Sequence, residues 1–212
     1  MTTPVTIIDR PAAVRQARRL NAMSIGYNVV EAIVALTAGV AAGSVSLIGF
    51  GLDSVIEVSA SLILTWRLAQ ERRDGCTQPA DRRATRAIAA SFVALAVYVA
   101  IHAVNDLVSA TRPDVSTVGI VIAALSLLFM PLLARAKHRV ADEIGSRAQR
   151  SEAAQTRLCA WLSAVVLVGL VANAAAGLWW ADPLAALGIA VLAAVEAVRT
   201  WRADDLADTC CA

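Results

Sequence analysis

Two carboxylates four residues apart, Asp53 and Glu57, sit inside an otherwise apolar stretch that opens at Gly43 and continues to about Trp66. On a helix that spacing stacks them on one face, with Cβ atoms roughly 5–6 Å apart. A charge inside a membrane is costly, and a second like charge beside it adds to the cost. Such a pair is tolerable where something neutralises it, and the candidates are protons or a metal cation. Packing alone gives no reason to place two acids on one face, so this pair is where chemistry is expected and the rest of the chain is what must position it.

The surrounding elements follow from hydropathy. Of 212 residues 58% are hydrophobic, and the mean hydropathy of +0.63 is well above that of an ordinary soluble domain. Six apolar segments run from about Leu20 to Ala42, Ser44 to Trp66, Ala87 to Ala110, Val115 to Ala134, Ala154 to Trp180, and Pro183 to Trp201. Each is close to the ~20 residues needed to cross a bilayer as a helix. The fourth is expected to continue as a cytosolic helix through Arg135, Lys137 and Arg139, because nothing breaks it before Gly145. The fold class is therefore all-α, a six-helix transmembrane bundle. The domain plan is a basic leader over 1–19, the membrane domain over 20–202 and a short tail over 203–212, with no soluble domain expected after the sixth segment.

Orientation follows from the basic residues. Eighteen lie in the leader, the second and fourth connections and the region after the sixth segment, whereas the other three connections share only Arg112. Both termini are then expected in the cytoplasm, with Trp179 and Trp180 at the outer interface. The leader has no cleavable signal pattern, so the first segment is expected to stay in the membrane. A net charge of +2 gives no reason to invoke nucleic acid. Lys137 is the single lysine among nineteen basic residues, a composition suggesting a GC-rich bacterial source and hence the cell (plasma) membrane. Cys76, Cys159, Cys210 and Cys211 have neither zinc-finger nor disulfide-framework spacing.

Counting helical rise from the outer connections puts Glu31, Asp53, Glu57 and His102 in one layer, roughly 12–20 Å below the outer boundary. Glu31 reads either as a protonated acid bonded to a neighbouring helix or as a participant in ion or proton movement. His102 and Asp106, again four apart, bond each other, line the outer opening or act as ligands. Asn28 and Asn173 read as hydrogen-bond partners between helices, and Asn28 also as part of an access path. Glu196 lies near the inner boundary, where it reaches water or pairs with an arginine. Gly39, Gly43, Gly49 and Gly51 allow close approach around segments one and two.

The sequence resembles the cation diffusion facilitator, or cation efflux, family. The resemblance rests on Ala42-Gly43-Ser44-Val45-Ser46-Leu47 followed by Asp53-Ser54-x-x-Glu57, and on Ala181-Asp182-Pro183-Leu184-Ala185-Ala186-Leu187-Gly188-Ile189-Ala190 at the start of the sixth segment. It covers the membrane part, about residues 16 to 202. The resemblance implies a homodimeric exporter that exchanges cytosolic divalent metal for protons. It also implies a site of two helix-two acids, here Asp53 and Glu57, with a His-x-x-x-Asp pair from helix five. Glu57 stands where the family more often has Asp. No His-x-x-x-Asp occurs between Ser151 and Trp180. Counting back from Asp182 without gaps puts those positions at Thr156 and Ala160; an outer turn shorter by three residues puts them at Cys159 and Ser163. Cysteine suits a borderline-soft ion such as zinc, but a buried cysteine is also a small hydrophobe. Cys159 is therefore the candidate third ligand, with Gln155 and Thr156 behind it, although depth counting sets Cys159 well below Asp53. The family's cytosolic metal-binding domain is not expected after the sixth segment, so a dimer is expected to rest on membrane helices. Cys210-Cys211 reads as a soft-metal capture site or as a plain or palmitoylated tail end.

The expected function is export of a divalent transition metal, zinc, iron, manganese, cobalt or similar, in exchange for protons. The metal is cargo, no cofactor is expected to be permanently bound, and the partners are the cation, protons, the bilayer and a second copy of the chain. The first alternative is a non-transporting sensor or scaffold that keeps the bundle. A membrane enzyme is disfavoured, because acids serving phosphoryl chemistry would lie near a membrane face among basic residues.

Overall fold

The computed structural model describes residues 10–74, 78–144 and 147–205. Within them the chain forms six α-helices and no strand: α1 (Arg10–Ala42), α2 (Val45–Asp74), α3 (Gln78–Ser109), α4 (Thr117–Ile144), α5 (Arg147–Ala176) and α6 (Ala181–Asp205). All six contain a stretch long and apolar enough to cross a membrane. Helix is the physical default for such stretches, because in lipid each backbone N–H and C=O must be bonded within its own segment. The six expected segments are all found, with several helices running beyond their apolar parts. α4 continues past Pro131 to Ile144 as the unbroken sequence suggested. Cys76, Cys210, Cys211 and the first nine residues of the leader lie outside the described residues.

The helices pack as an α1–α2–α4–α5 group with the α3–α6 pair beside it. α2 is the shared wall, touching α1, α3, α5 and α6. Its apolar stretch is 61% buried, against 28% for those of α1 and α3, so the helix carrying the acid pair is the innermost one. Ile33, Val108, Leu128 and Val168 lie on the exposed outer faces, where lipid tails would meet them. Between the helices the contacts are van der Waals packing and polar bonds, since apolar surface gains little by leaving lipid.

Two glycines set the α1–α2 spacing. A Cβ on Gly39 would lie 2.9 Å from the Ile48 backbone nitrogen, and one on Gly51 would lie 2.8 Å from the Leu36 side chain. Gly49 instead faces Val99 on α3 and Ile189 on α6. Gly43 serves the turn rather than a helix contact: its φ is +63° and the space around it is open, as a left-handed residue after a helix end requires.

The α2–α6 junction is polar. Asp182, in the first turn of α6, accepts hydrogen bonds from Ser44 Oγ at 2.6 Å, from Ser46 Oγ and from the Ser46 backbone N–H. The Gly-Ser-Val-Ser and Asp-Pro motifs on which the sequence resemblance rests are thus two halves of one buried contact.

Candidate functional site

Glu31, Asp53 and Glu57 are all buried, at 0%, 6% and 1% exposure. Asp53 and Glu57 share a face of α2, and Glu31 approaches from α1. The carboxylates acting electrostatically on Asp53 are Glu57, Glu31 and, from α6, Glu196. The layer inferred from helical rise is therefore a cluster in space for these three acids. Ser54 joins α2 to α1 by donating to Glu31 Oε2 at 3.1 Å.

α5 completes the wall. Thr156 donates to Glu57 Oε1 at 2.9 Å, and the Cys159 thiol points at Glu31 Oε2 at 3.8 Å. The two registers considered from sequence thus both reach the cluster, at different acids: Thr156 meets Glu57 and Cys159 meets Glu31. Simple depth counting misplaced Cys159, because it compared separate helices as if all were parallel and equally deep. Ser163 spends its hydroxyl on the Cys159 carbonyl of its own helix at 2.7 Å, and Ala160 is buried with no donor to offer.

Several polar atoms around the acids are buried without a hydrogen-bond partner: Glu31 Oε1, Glu57 Oε2, Ser24 Oγ, Ser126 Oγ, the Tyr27 hydroxyl and both amide atoms of Asn28. Asn28 is close enough to act on Glu57, yet it forms no bond of good geometry. It does not tie helices together, as its sequence position suggested. Buried polar groups are ordinarily satisfied, so a concentration of unmet donors and acceptors beside three acids is what a polar guest would relieve. Among the described residues no three His, Cys, Asp or Glu side chains converge into a ready-made metal-holding group.

His102 is exposed on α3, its ring 4.4 Å from that of Tyr98, and Asp106 is half-buried near the α3 end. Neither side chain is bonded to the Glu31–Asp53–Glu57 cluster. Equal depth does not imply adjacency here, because α3 sits with α6 outside the four-helix group. Asn173 does link elements, donating to the Pro113 carbonyl at 3.0 Å. Glu196 lies 3.8 Å from Arg199, as one of its two sequence readings had it.

The structure adds residues that sequence reasoning passed over. Lys137 is fully buried, donating to Glu152 Oε1 and to Thr156 Oγ1, each at 3.0 Å. It is therefore not a solvated charge on a cytosolic extension of α4. Its burial is explained by those partners, together with Ser61, which donates to Glu152 Oε1 at 2.7 Å. A polar chain runs from Ser61 and Glu152 through Lys137 and Thr156 to Glu57. Its one sequence signal was a single lysine among arginines.

Comparison with known proteins adds two findings. Residues 84–204 match the family described as the cation efflux transmembrane domain, which is more than half of the chain. Over 186 residues the chain is 25% identical to a protein of Synechocystis sp. described as an uncharacterized transporter. The match covers 82% of this chain and 58% of that relative's length.

Proposed function

The chain belongs to the cation efflux family, is an integral membrane protein on that ground and on its six apolar helices, and from this we propose that it transports a divalent transition-metal cation out of the cytosol in exchange for protons. The observation that carries the reading is the buried layer of Glu31, Asp53 and Glu57, with carboxylate oxygens that no protein group satisfies. Carboxylates bind metal when deprotonated, so cation and protons compete for the same oxygens. In a state open to the cytosol, Asp53 and Glu57 would load the cation, with Glu31, Asn28 and Cys159 within reach of the same space. In a state open to the other side, protons would displace it. Rocking of α1, α2, α4 and α5 against one another would alternate the access. The oxygen-rich surroundings with one thiol suit manganese, iron, cobalt or zinc.

The basic-residue asymmetry supports termini on the cytosolic side of a bacterial plasma membrane, and the family resemblance supports a homodimer. The polar chain through Lys137 would then lie between the acids and the cytosol. The rival reading, a sensor or scaffold that binds metal without moving it, is favoured by the missing helix-five His-x-x-x-Asp. The test is metal-by-metal uptake into proteoliposomes under an imposed pH gradient. Cation flux that depends on the gradient supports exchange. Binding without flux supports the rival, and neither binding nor flux removes the reading altogether.

A further inference from the structure

The Lys137–Glu152 pair has a place in the fold that a mere structural bond does not need. Lys137 comes from α4 and Glu152 from α5, on either side of the α4–α5 connection. The pair is buried, its two side chains 0% and 3% exposed. It also touches the acid layer through one atom. Thr156 Oγ1 accepts from Lys137 Nζ at 3.0 Å and donates to Glu57 Oε1 at 2.9 Å, so the ammonium lies no more than 5.9 Å from Glu57. The threonine hydroxyl has one proton, and its two acceptors are Glu57 Oε1 and the Glu152 backbone carbonyl at 3.2 Å. The shorter bond, to a carboxylate, is the stronger, because an ionised acceptor roughly doubles a hydrogen bond's strength. An ammonium donating into that hydroxyl polarises it further toward Glu57.

We propose that Lys137 is a built-in counter-cation of the cargo site: it presents a positive charge to Glu57 through Thr156 and so weakens cation capture, while Glu152 sets how much of that charge the site feels. The inference rests on the reading that cargo cations visit Glu57. A carrier gains from such a device. Three acids in a low-dielectric layer would hold a divalent ion too tightly to let it go, and transport needs binding strong enough to load yet weak enough to release. A tethered charge achieves this without occupying the cargo's own position. It also makes Lys137 a specificity-determining residue, since a fixed positive charge repels a divalent ion about twice as strongly as a monovalent one.

The test is a charge ladder on the purified full chain in detergent, with Mn2+ and separately Zn2+ as calorimetric titrants and thermal unfolding measured alongside. Glu152→Gln leaves the lysine charge unopposed, Lys137→Met with Glu152→Gln removes both charges, and Lys137→Met leaves only the acid. Affinity should rise in the order Glu152→Gln, wild type, double variant, Lys137→Met, each step being about tenfold or more at the effective dielectric of a partly buried site. The double variant keeps the test informative if a single variant does not fold, because replacing a buried ion pair by neutral groups of similar size is often tolerated. Equal affinities in the wild type and the double variant overturn the proposal. So does a loss of affinity in every variant that tracks its loss of thermal stability, which would make the pair a structural bond. A wild type that binds neither cation overturns the transport reading, and this inference with it, whereas binding without the ladder overturns the inference alone.

Discussion

Replacing Asp53 by Asn removes one charge from the acid layer with little change of shape. Glu31, Asp53 and Glu57 are three buried acids, and among the described residues the buried cation bonded nearby, Lys137, is already matched by Glu152. Each bare acid at the centre of a bilayer costs roughly 2.5–3.5 kcal/mol even on lenient insertion scales. Without cargo, protons are the remaining means of neutralising them, so an arriving divalent ion should expel protons from the wild type, at most about three. The Asn variant has two acids left and should expel fewer, at most about two. Removing one partner of a buried charge pair costs about 3–5 kcal/mol, which corresponds to a loss of about 10² to 10⁴ in cation affinity. The sign with pH follows from the same competition: wild-type affinity should rise with pH as protons leave the carboxylates, and more steeply than that of the variant. The assay is calorimetric titration with Mn2+ or Zn2+ in two buffers of different ionisation enthalpy, which counts the protons released. The same proton count and the same affinity in both proteins would take Asp53 out of the mechanism.

Other changes should separate the contributions of individual residues. Cys159→Ser should weaken Zn2+ binding more than Mn2+ binding, because a thiolate favours the softer ion and a hydroxyl does not; equal effects on both, read by competition titration, would reduce Cys159 to packing. His102→Ala should leave cation affinity unchanged, since the ring is exposed on α3 and pairs with Tyr98; a large loss by the same titration would contradict the site as drawn. Asp182→Ala should destabilise the bundle by about 2–4 kcal/mol, seen as a lowered unfolding temperature in detergent, because the Ser44 and Ser46 hydroxyls lose a charged acceptor inside the fold. In intact cells a membrane-impermeant thiol reagent should leave Cys210 and Cys211 unmodified, and ready labelling from outside would refute the inferred orientation.

The six helices were legible because their cause is local. A run of some twenty apolar residues in lipid has little choice but to be a helix, and each turn or charged connection marks its end. The acid pair was legible for a related reason: positions 53 and 57 share a helix face whatever that helix packs against. Partners on other helices were not legible. Depth can be counted along one chain, but which helices adjoin at that depth depends on packing. His102 was therefore grouped with acids it does not meet, and Cys159 was set well below Asp53 although its thiol reaches Glu31, an acid counted in the same layer. Lys137 shows the same limit, since a lysine beyond an apolar run reads as solvated until its buried acid is known. Ser44 and Ser46 were recognisable as a motif, yet their bond to Asp182 spans 138 and 136 residues of chain.

What packing adds is a consistent role for α2. Its polar side chains fall on the surfaces it shares with three different helices. Ser46 meets Asp182 of α6, Ser54 meets Glu31 of α1, and Glu57 and Ser61 meet Thr156 and Glu152 of α5. No comparable set of side-chain bonds joins α3 to α2 among the described residues. A movement that slid α2 along its own axis would break all these bonds at once. A movement that tilted it about the Asp182 contact would keep that anchor and strain the Glu57 and Ser61 bonds, which lie farther along the helix. The bonds strained by such a tilt are those around the candidate cation site, so occupancy of that site and the angle of α2 would bias each other. This coupling is what alternating access requires of a cargo site, namely a different interaction free energy in the two states. It follows that a substitution at Ser61 should change transport rate more than equilibrium affinity, whereas Asp53→Asn should change affinity first. Comparing initial flux with titrated affinity for Ser61→Ala and Asp53→Asn tests the assignment, and parallel changes in both quantities for both variants would mean that the contacts of α2 hold the fold together without guiding its motion.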